Sequence, residues 1–119
     1  SLLNFFKNYR SFFIIPEQNP KAKTTWLAFP LTLTQNAPFG RMELVRYLEK
    51  HNIQTRPVFT GNILKQPGFR NISHKTNGHG YPITNAIMER GFVIGCHHGL
   101  EEKHIDRIKE VFFSYLKNF

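Results

Sequence analysis

Apolar residues Leu2, Phe5, Phe6, Tyr9, Phe12 and Phe13 recur at three- and four-residue spacing, with Asn4, Lys7, Asn8 and Ser11 between them. That period predicts an amphipathic helix over the first fifteen or so residues. The pattern begins at residue 1 with neither a capping residue nor a methionine, so the expectation is a chain that enters in the middle of a longer helix. Pro16 to Lys23 is polar, carries two prolines and reads as a loop. Thr25 to Thr34 (TWLAFPLTLT) is rich in β-forming residues, and Pro30 inside it predicts an edge strand or a bulged one. After Pro38, the stripe Met42, Leu44, Val45 and Leu48 predicts a second helix ending near Asn52.

Ile53 to Phe59 reads as a short strand. Lys65 to Gly80 holds three glycines among polar residues and predicts a long loop, of the kind that in a compact domain serves a function or an interface. Pro82 suits the first turn of a short helix that Gly91 would end, and Phe92 to Gly95 reads as a short buried strand. Ile105, Ile108, Val111, Phe112, Tyr115, Leu116 and Phe119 form one stripe of a last helix, with Glu101 and Glu102 placed to favour its N-terminal dipole. Helices alternating with strands too few and too short for a doubly wound sheet predict an α+β fold, a sheet of about three or four strands covered by helices.

Length narrows this to one domain, since 119 residues rarely divide into two cores. Hydrophobic residues at 40% and charged residues at 20% fit a globular chain. The 12 phenylalanines exceed what so small a domain would bury, so some are expected to meet another domain or subunit. The formal charge of +8 permits attraction to nucleic acid or an anionic surface. The basic residues are spread singly, however, and a solvated surface is the simpler reading. No signal peptide and no run long enough to span a membrane appears. The single cysteine, Cys96, excludes an internal disulfide and suits a reducing cytoplasm.

Complete catalytic constellations are missing from the pattern. His51, His74, His79, His97, His98 and His104 match no metal-ligand spacing. Cys96 beside His97 and His98 reads as a small packing residue at a strand end, because neighbours on an extended chain point to opposite faces. No glycine loop of the phosphate-binding type is present.

The stretch TRPVFTGNILKQPGF, Thr55 to Phe69, stays open between two readings. Gly-Asn can be the turn of a hairpin, with Arg56 solvated. Alternatively Gly61 lets the backbone approach a ligand, Asn62 donates and accepts hydrogen bonds, and Arg56 offers a fork for phosphate or sugar hydroxyls.

Three segments, TTWLAFPLTL, APFGRMELVRYLEKHNIQTRPVFTGNILKQPGF and YPITNAIMERGFVIGCHHGLEEKHIDRIKEVF, resemble the C-terminal part of the DegT-type sugar aminotransferases, enzymes of the pyridoxal-phosphate fold type I. Within them the chain is most similar to nucleotide-hexose 3-dehydrases of deoxysugar and lipopolysaccharide O-antigen synthesis, which act on CDP- or GDP-4-keto-6-deoxyhexoses. The most specific part is Arg56 to Pro67, where ordinary sugar aminotransferases of the family carry a Tyr-x-Pro-Leu-His-like segment. Gly99-Leu100-Glu101-Glu102 resembles the family's start of the last helix.

The resemblance implies a division of the chain into the end of a linking helix (1–15) and a C-terminal small domain (16–119), packed against a large domain that carries pyridoxal phosphate and is absent here. By itself the segment would hold no cofactor and turn over no substrate, while the full-length parent would be a cytoplasmic homodimeric enzyme. Arg56, Gly61, Asn62 and Gln66 match the dehydrase segment and are the implied substrate-binding residues; no catalytic, cofactor-binding or metal-binding residue is implied in this stretch. Whether the parent uses an iron–sulfur cluster with a reductase, or a half-reaction with glutamate, Cys96 cannot decide. The alternatives are a nucleotide-sugar aminotransferase of the same family and, from another class, a basic module for RNA or another polyanion.

Overall fold

The computed structural model describes residues 2–24 and 26–119. Ser1 and Thr25, the first residues of the expected linking helix and of the expected strand, lie outside them. A four-stranded antiparallel sheet, in the order β1-β2-β4-β3, carries the fold. Its strands are β1 (Phe13–Ile14), β2 (Ala28–Leu33), β3 (Thr55–Pro57) and β4 (Gly91–Gly95), and the helices are α1 (Leu2–Phe6), α2 (Arg41–Lys50), α3 (Pro82–Arg90) and α4 (Glu102–Leu116). This is the α+β sandwich that the alternation predicts.

Alternation along β2 sends Phe29, Leu31 and Leu33 into the core, and on β4 Phe92 and Ile94 join them, all at 2% exposure or less. Leu44 and Leu48 of α2 close over this face, as do Ile108, Val111, Phe112, Tyr115 and Leu116 of α4. Each large apolar side chain so buried contributes about 1.5–3 kcal/mol. The opposite face carries Pro30, Val93 and Arg56, which stand opposite one another in register across β2, β4 and β3.

Two sequence expectations are corrected. The first helix ends at Phe6 and passes through a 3₁₀ turn at Lys7–Tyr9, and Phe13 opens β1 rather than continuing the helix. Phe12 and Phe13 lie about 100° apart on a helix, whereas the extended chain buries Phe13 opposite Leu33 and lets the Phe12 carbonyl accept from Thr34 N. Pro30 sits in an inner strand, not an edge strand. The two-residue β1 reaches only Thr32 and Leu33, so beside Pro30 the sheet is locally an edge, where a missing N–H costs no ladder bond. Of the twelve phenylalanines, half are buried within the domain. Phe6, Phe13, Phe29, Phe39, Phe92 and Phe112 are buried, and Phe6 alone packs against Phe5, Phe13, Phe29 and Phe112 at ring separations of 4.9–5.5 Å. Phe59, Phe69, Phe113 and Phe119 stay exposed.

The remaining boundaries follow the local chemistry. Asn52 takes φ +62° after α2, and Ile53 N donates back to the Leu48 carbonyl, the left-handed stop that the Asn predicts. Gly91 ends α3 by a different device. Its backbone is extended, and a Cβ there would come within 2.5 Å of the Ile87 carbonyl oxygen, so glycine is required by the tight passage from helix directly into β4.

Candidate functional site

The Thr55–Phe69 stretch is not a hairpin. After β3 the chain turns through Gly61, whose N–H donates to the Val58 carbonyl, and enters two 3₁₀ turns, Ile63–Lys65 and Pro67–Phe69. No regular helix or strand follows until α3. Gly61 has φ +63°, and a Cβ on it would stand 2.5 Å from Met88 Cγ of α3. Conformation and contact therefore both demand glycine.

Asn62 fixes the turn. It is buried, its Oδ1 accepts from Leu64 N at 3.0 Å as cap of the first 3₁₀ turn, and its Nδ2 donates to Asn85 Oδ1 of α3 at 2.8 Å. The side chain that the sequence offers as a ligand group is committed to joining the loop to α3. Gln66 Nε2 donates to the Thr60 carbonyl at 2.7 Å and ties the loop across its own base.

Between this loop, the start of α2 and α3 lies a cleft of about 240 Å³, lined among others by Arg41, Val58, Phe59, Gly61, Gln66 and Met88. Arg41, at the first position of α2, is missed by sequence reading because its spacing makes it an ordinary solvated helix residue. Its Nη1 donates to the Gly91 carbonyl at 3.2 Å, which draws the guanidinium under the loop. Its Nε is buried with no partner among the described residues. A buried guanidinium N–H left without an acceptor is costly, and the cleft beside it is open to an anionic or carbonyl-bearing ligand. Phe59, on the cleft wall, holds φ +48° and is 92% exposed. An aromatic residue in the left-handed region, presented to solvent, is the kind of strain that clusters at binding surfaces.

Asn62 opens on a neighbouring cleft of about 330 Å³ with Ile63, Lys75 and Tyr81, on the other side of the same loop. Of the four residues singled out from sequence, Gly61 and Gln66 meet in the first cleft, Gly61 and Asn62 in the second, and Arg56 in neither. Arg56 stands beside Val93 on the open face of the sheet, and its Nη1 donates to the Thr55 carbonyl at 2.8 Å. Behind it, Glu49 Oε1 accepts from both Thr55 N (2.6 Å) and Thr55 Oγ1 (2.8 Å). Those two bonds, with a smaller contribution from the Arg56 charge, hold the Glu49 carboxyl below its usual range against the opposing effect of burial.

Cys96 follows β4 and packs against the core, as its strand-end reading predicts; burial pushes its thiol up. Among the described residues no group of three or more His, Cys, Asp or Glu side chains could hold a metal ion, and no helix is long and apolar enough to cross a membrane. Neither a carboxylate nor a lysine lines the Arg41 cleft. A cofactor that needs a carboxylate at a pyridine nitrogen and an amine or imidazole at its reactive carbon does not find them there.

The model of the DegT/DnrJ/EryC1/StrS aminotransferase family matches residues 3–113. The lipopolysaccharide biosynthesis protein RfbH of Salmonella typhimurium is 36% identical over 104 residues, which cover 87% of this chain and 24% of that protein. A dTDP-4-dehydro-2,6-dideoxy-D-glucose 3-dehydratase of Saccharopolyspora spinosa is 31% identical over 99 residues, 82% of this chain and 21% of that one. Among solved structures, an E. coli GDP-4-keto-6-deoxy-D-mannose-3-dehydratase with bound hydrated PLP superimposes with a TM-score of 0.79 over 92% of this chain and 27% of its own, at 23% identity. That likeness concerns the fold. The chain spans about a quarter of the length of the curated relatives it matches.

Proposed function

The chain belongs to the DegT/DnrJ/EryC1/StrS aminotransferase family, and from that premise we propose that it is the small C-terminal domain of a nucleotide-4-keto-6-deoxyhexose 3-dehydrase serving deoxysugar or O-antigen synthesis. In this reading residues 1–15 link it to a larger domain that carries pyridoxal phosphate, and residues 16–119 close the substrate site. The relatives named as 3-dehydratases support dehydration over amino transfer. The observation that carries the site is the Arg41 cleft, where Gly61 and Gln66 of the dehydrase-like segment meet a guanidinium with a buried, unpartnered Nε.

The roles divide by position. Arg41 offsets negative charge on the nucleotide-sugar, as a guanidinium fork suits phosphate oxygens. Gly61 lets the loop backbone come close, and Gln66 holds the loop against Thr60 while its amide remains available to a sugar hydroxyl. Asn62 positions the loop through Asn85. Arg56, on the open sheet face, points to the larger domain, with Glu49 and Thr55 setting the strand from which it projects. The cofactor belongs to the larger domain, since the cleft residues do not fit it, and this chain supplies no step at the cofactor. A homodimer, with sites completed across the subunits, is part of the same proposal.

The test is made on the full-length protein that contains this segment. Given pyridoxal phosphate, a two-electron donor (L-glutamate, or a reductase with its reductant) and a CDP- or GDP-4-keto-6-deoxyhexose, it should give a product in which the C3 hydroxyl has left as water and been replaced by hydrogen, and the 119-residue chain alone should neither bind pyridoxal phosphate nor convert substrate. A product aminated at C4 with the C3 hydroxyl retained would assign amino transfer instead. Stoichiometric cofactor binding by the isolated chain would overturn the division of labour.

A further inference from the structure

Beyond the loop cleft, a second one of about 290 Å³ lies where the turn between α2 and β3 faces the end of β4 and the first turns of α4. Its floor is apolar, from Ile53, Leu100 and Ile108, and its rim carries His97, His104 and Arg107. The two imidazoles are oriented by the backbone. His97 Nδ1 accepts from Gly99 N at 3.2 Å, and His104 Nδ1 accepts from Glu101 N at 3.0 Å. A nitrogen that accepts an N–H carries no proton, so each neutral ring bears its proton on Nε2. Neither Nε2 has a protein partner among the described hydrogen bonds, which leaves two ring N–H donors at one rim.

Arg107 follows His104 by three residues on α4, hence on the same helix face. Its contact with Glu110 is a loose 3.9 Å between exposed groups, too weak to occupy a guanidinium. Glu101, just before α4, is paired with Lys103 at 2.7 Å. One loosely paired cation and two N–H donors above three aliphatic side chains suit a ligand with a single negative charge and a small apolar body.

We propose that this cleft binds a short aliphatic carboxylate, with the carboxylate on Arg107 and the two imidazole Nε2–H groups and the alkyl part on Ile53, Leu100 and Ile108. The site is independent of the sugar-nucleotide reading, since it shares no lining residue with the Arg41 cleft.

The probe is isobutyrate, titrated into the ¹⁵N-labelled 119-residue chain at neutral pH and followed by amide and imidazole shifts. Saturable movement of the Gly99, Glu101 and His104 signals is expected, with the amides of the Thr60–Gln66 loop unmoved. Arg107→Gln should weaken the binding about tenfold, the loss of one charge-assisted pair, whereas Arg70→Gln, after the second 3₁₀ turn and outside the cleft lining, should leave it unchanged. The absence of saturable shifts, or equal weakening by both variants, would overturn the site. Shifts given by inorganic phosphate and not by isobutyrate would overturn the assignment to a carboxylate with an apolar body.

Discussion

Gly61 and Met88 touch so closely that the loop and α3 can coexist only with a hydrogen at the Gly61 α-position: a Cβ there would come within 2.5 Å of Met88 Cγ and 2.6 Å of its Cβ. Gly61→Ala should cost about 1–3 kcal/mol from the positive φ alone, with the methionine contact adding to it. Thermal unfolding of Gly61→Ala with and without Met88→Gly separates the two, since an alanine at 88 would keep the Cβ that stands 2.6 Å away. Removing the whole Met88 side chain, Cβ included, should relieve the sub-3 Å contacts and leave the backbone cost, so the double variant should remain less stable than Met88→Gly by itself.

Asn62 and Asn85 form a partly buried side-chain bond that ties the loop to α3. Asn62→Ala should destabilise by about 1–3 kcal/mol, the cost of a lost hydrogen bond with a partner left unsatisfied. A double-mutant cycle with Asn85→Ala should return a coupling of about 0.5–1.5 kcal/mol. A coupling near zero would mean that the loop is held by other contacts.

Tyr115 of α4 donates through its hydroxyl to Glu43 of α2 at 2.8 Å. Burial, first, and the Glu43 carboxylate, second, push the phenol well above its ordinary range. A raised folded-state value means that the neutral form is favoured by folding. This contribution is fully present below the unfolded phenol value, about 10, and is lost as pH rises from there toward the folded value. Spectrophotometric titration should therefore show one of the four tyrosines ionising only as the chain unfolds in alkali. Tyr115→Phe should remove that late step and cost about 1 kcal/mol at neutral pH.

Glu49 behaves in the opposite sense. Its carboxyl is lowered chiefly by the two Thr55 hydrogen bonds, so its contribution is present above the unfolded glutamate value, about 4.3, and is lost as pH falls through the folded value. Thr55→Val removes the hydroxyl bond and leaves the backbone one. It should shift acid unfolding to higher pH by less than Glu49→Gln reduces the pH dependence itself, a comparison made by following unfolding between neutral and acid pH.

The sequence pattern carried much of this fold because it is written in local signals. The α4 stripe, the Asn52 stop after α2 and the Pro82 start of α3 each rest on residues within a turn of the feature they set. What the pattern missed depends on distant partners. The 3.6-residue spacing of the first aromatics is genuine, yet Phe13 gains more from pairing with Leu33, twenty residues on, than from a further helical turn. Pro30 argues for an edge, and nothing local reveals that β1 is too short to reach it.

The loop shows the same limit. Gly61, Asn62 and Gln66 stand out by residue type, but whether they make a hairpin or a cleft wall is decided by Met88 and Asn85, more than twenty residues downstream. Arg41 carries no local mark at all. It becomes notable only through its bond to the Gly91 carbonyl and its buried Nε. Arg56, the residue most suggestive in sequence, faces away from the cleft because β3 alternation puts it beside Val93.

The central claim is that the Arg41 cleft forms part of a nucleotide-sugar site, and kcat/KM for C3 dehydration by the full-length protein tests it most directly, with and without Arg41→Gln. A lost charge-assisted contact to the substrate should lower kcat/KM by about tenfold to a hundredfold, with a drop in Tm no larger than that of the Asn62→Ala protein. An unchanged kcat/KM in a folded Arg41→Gln protein would contradict the account.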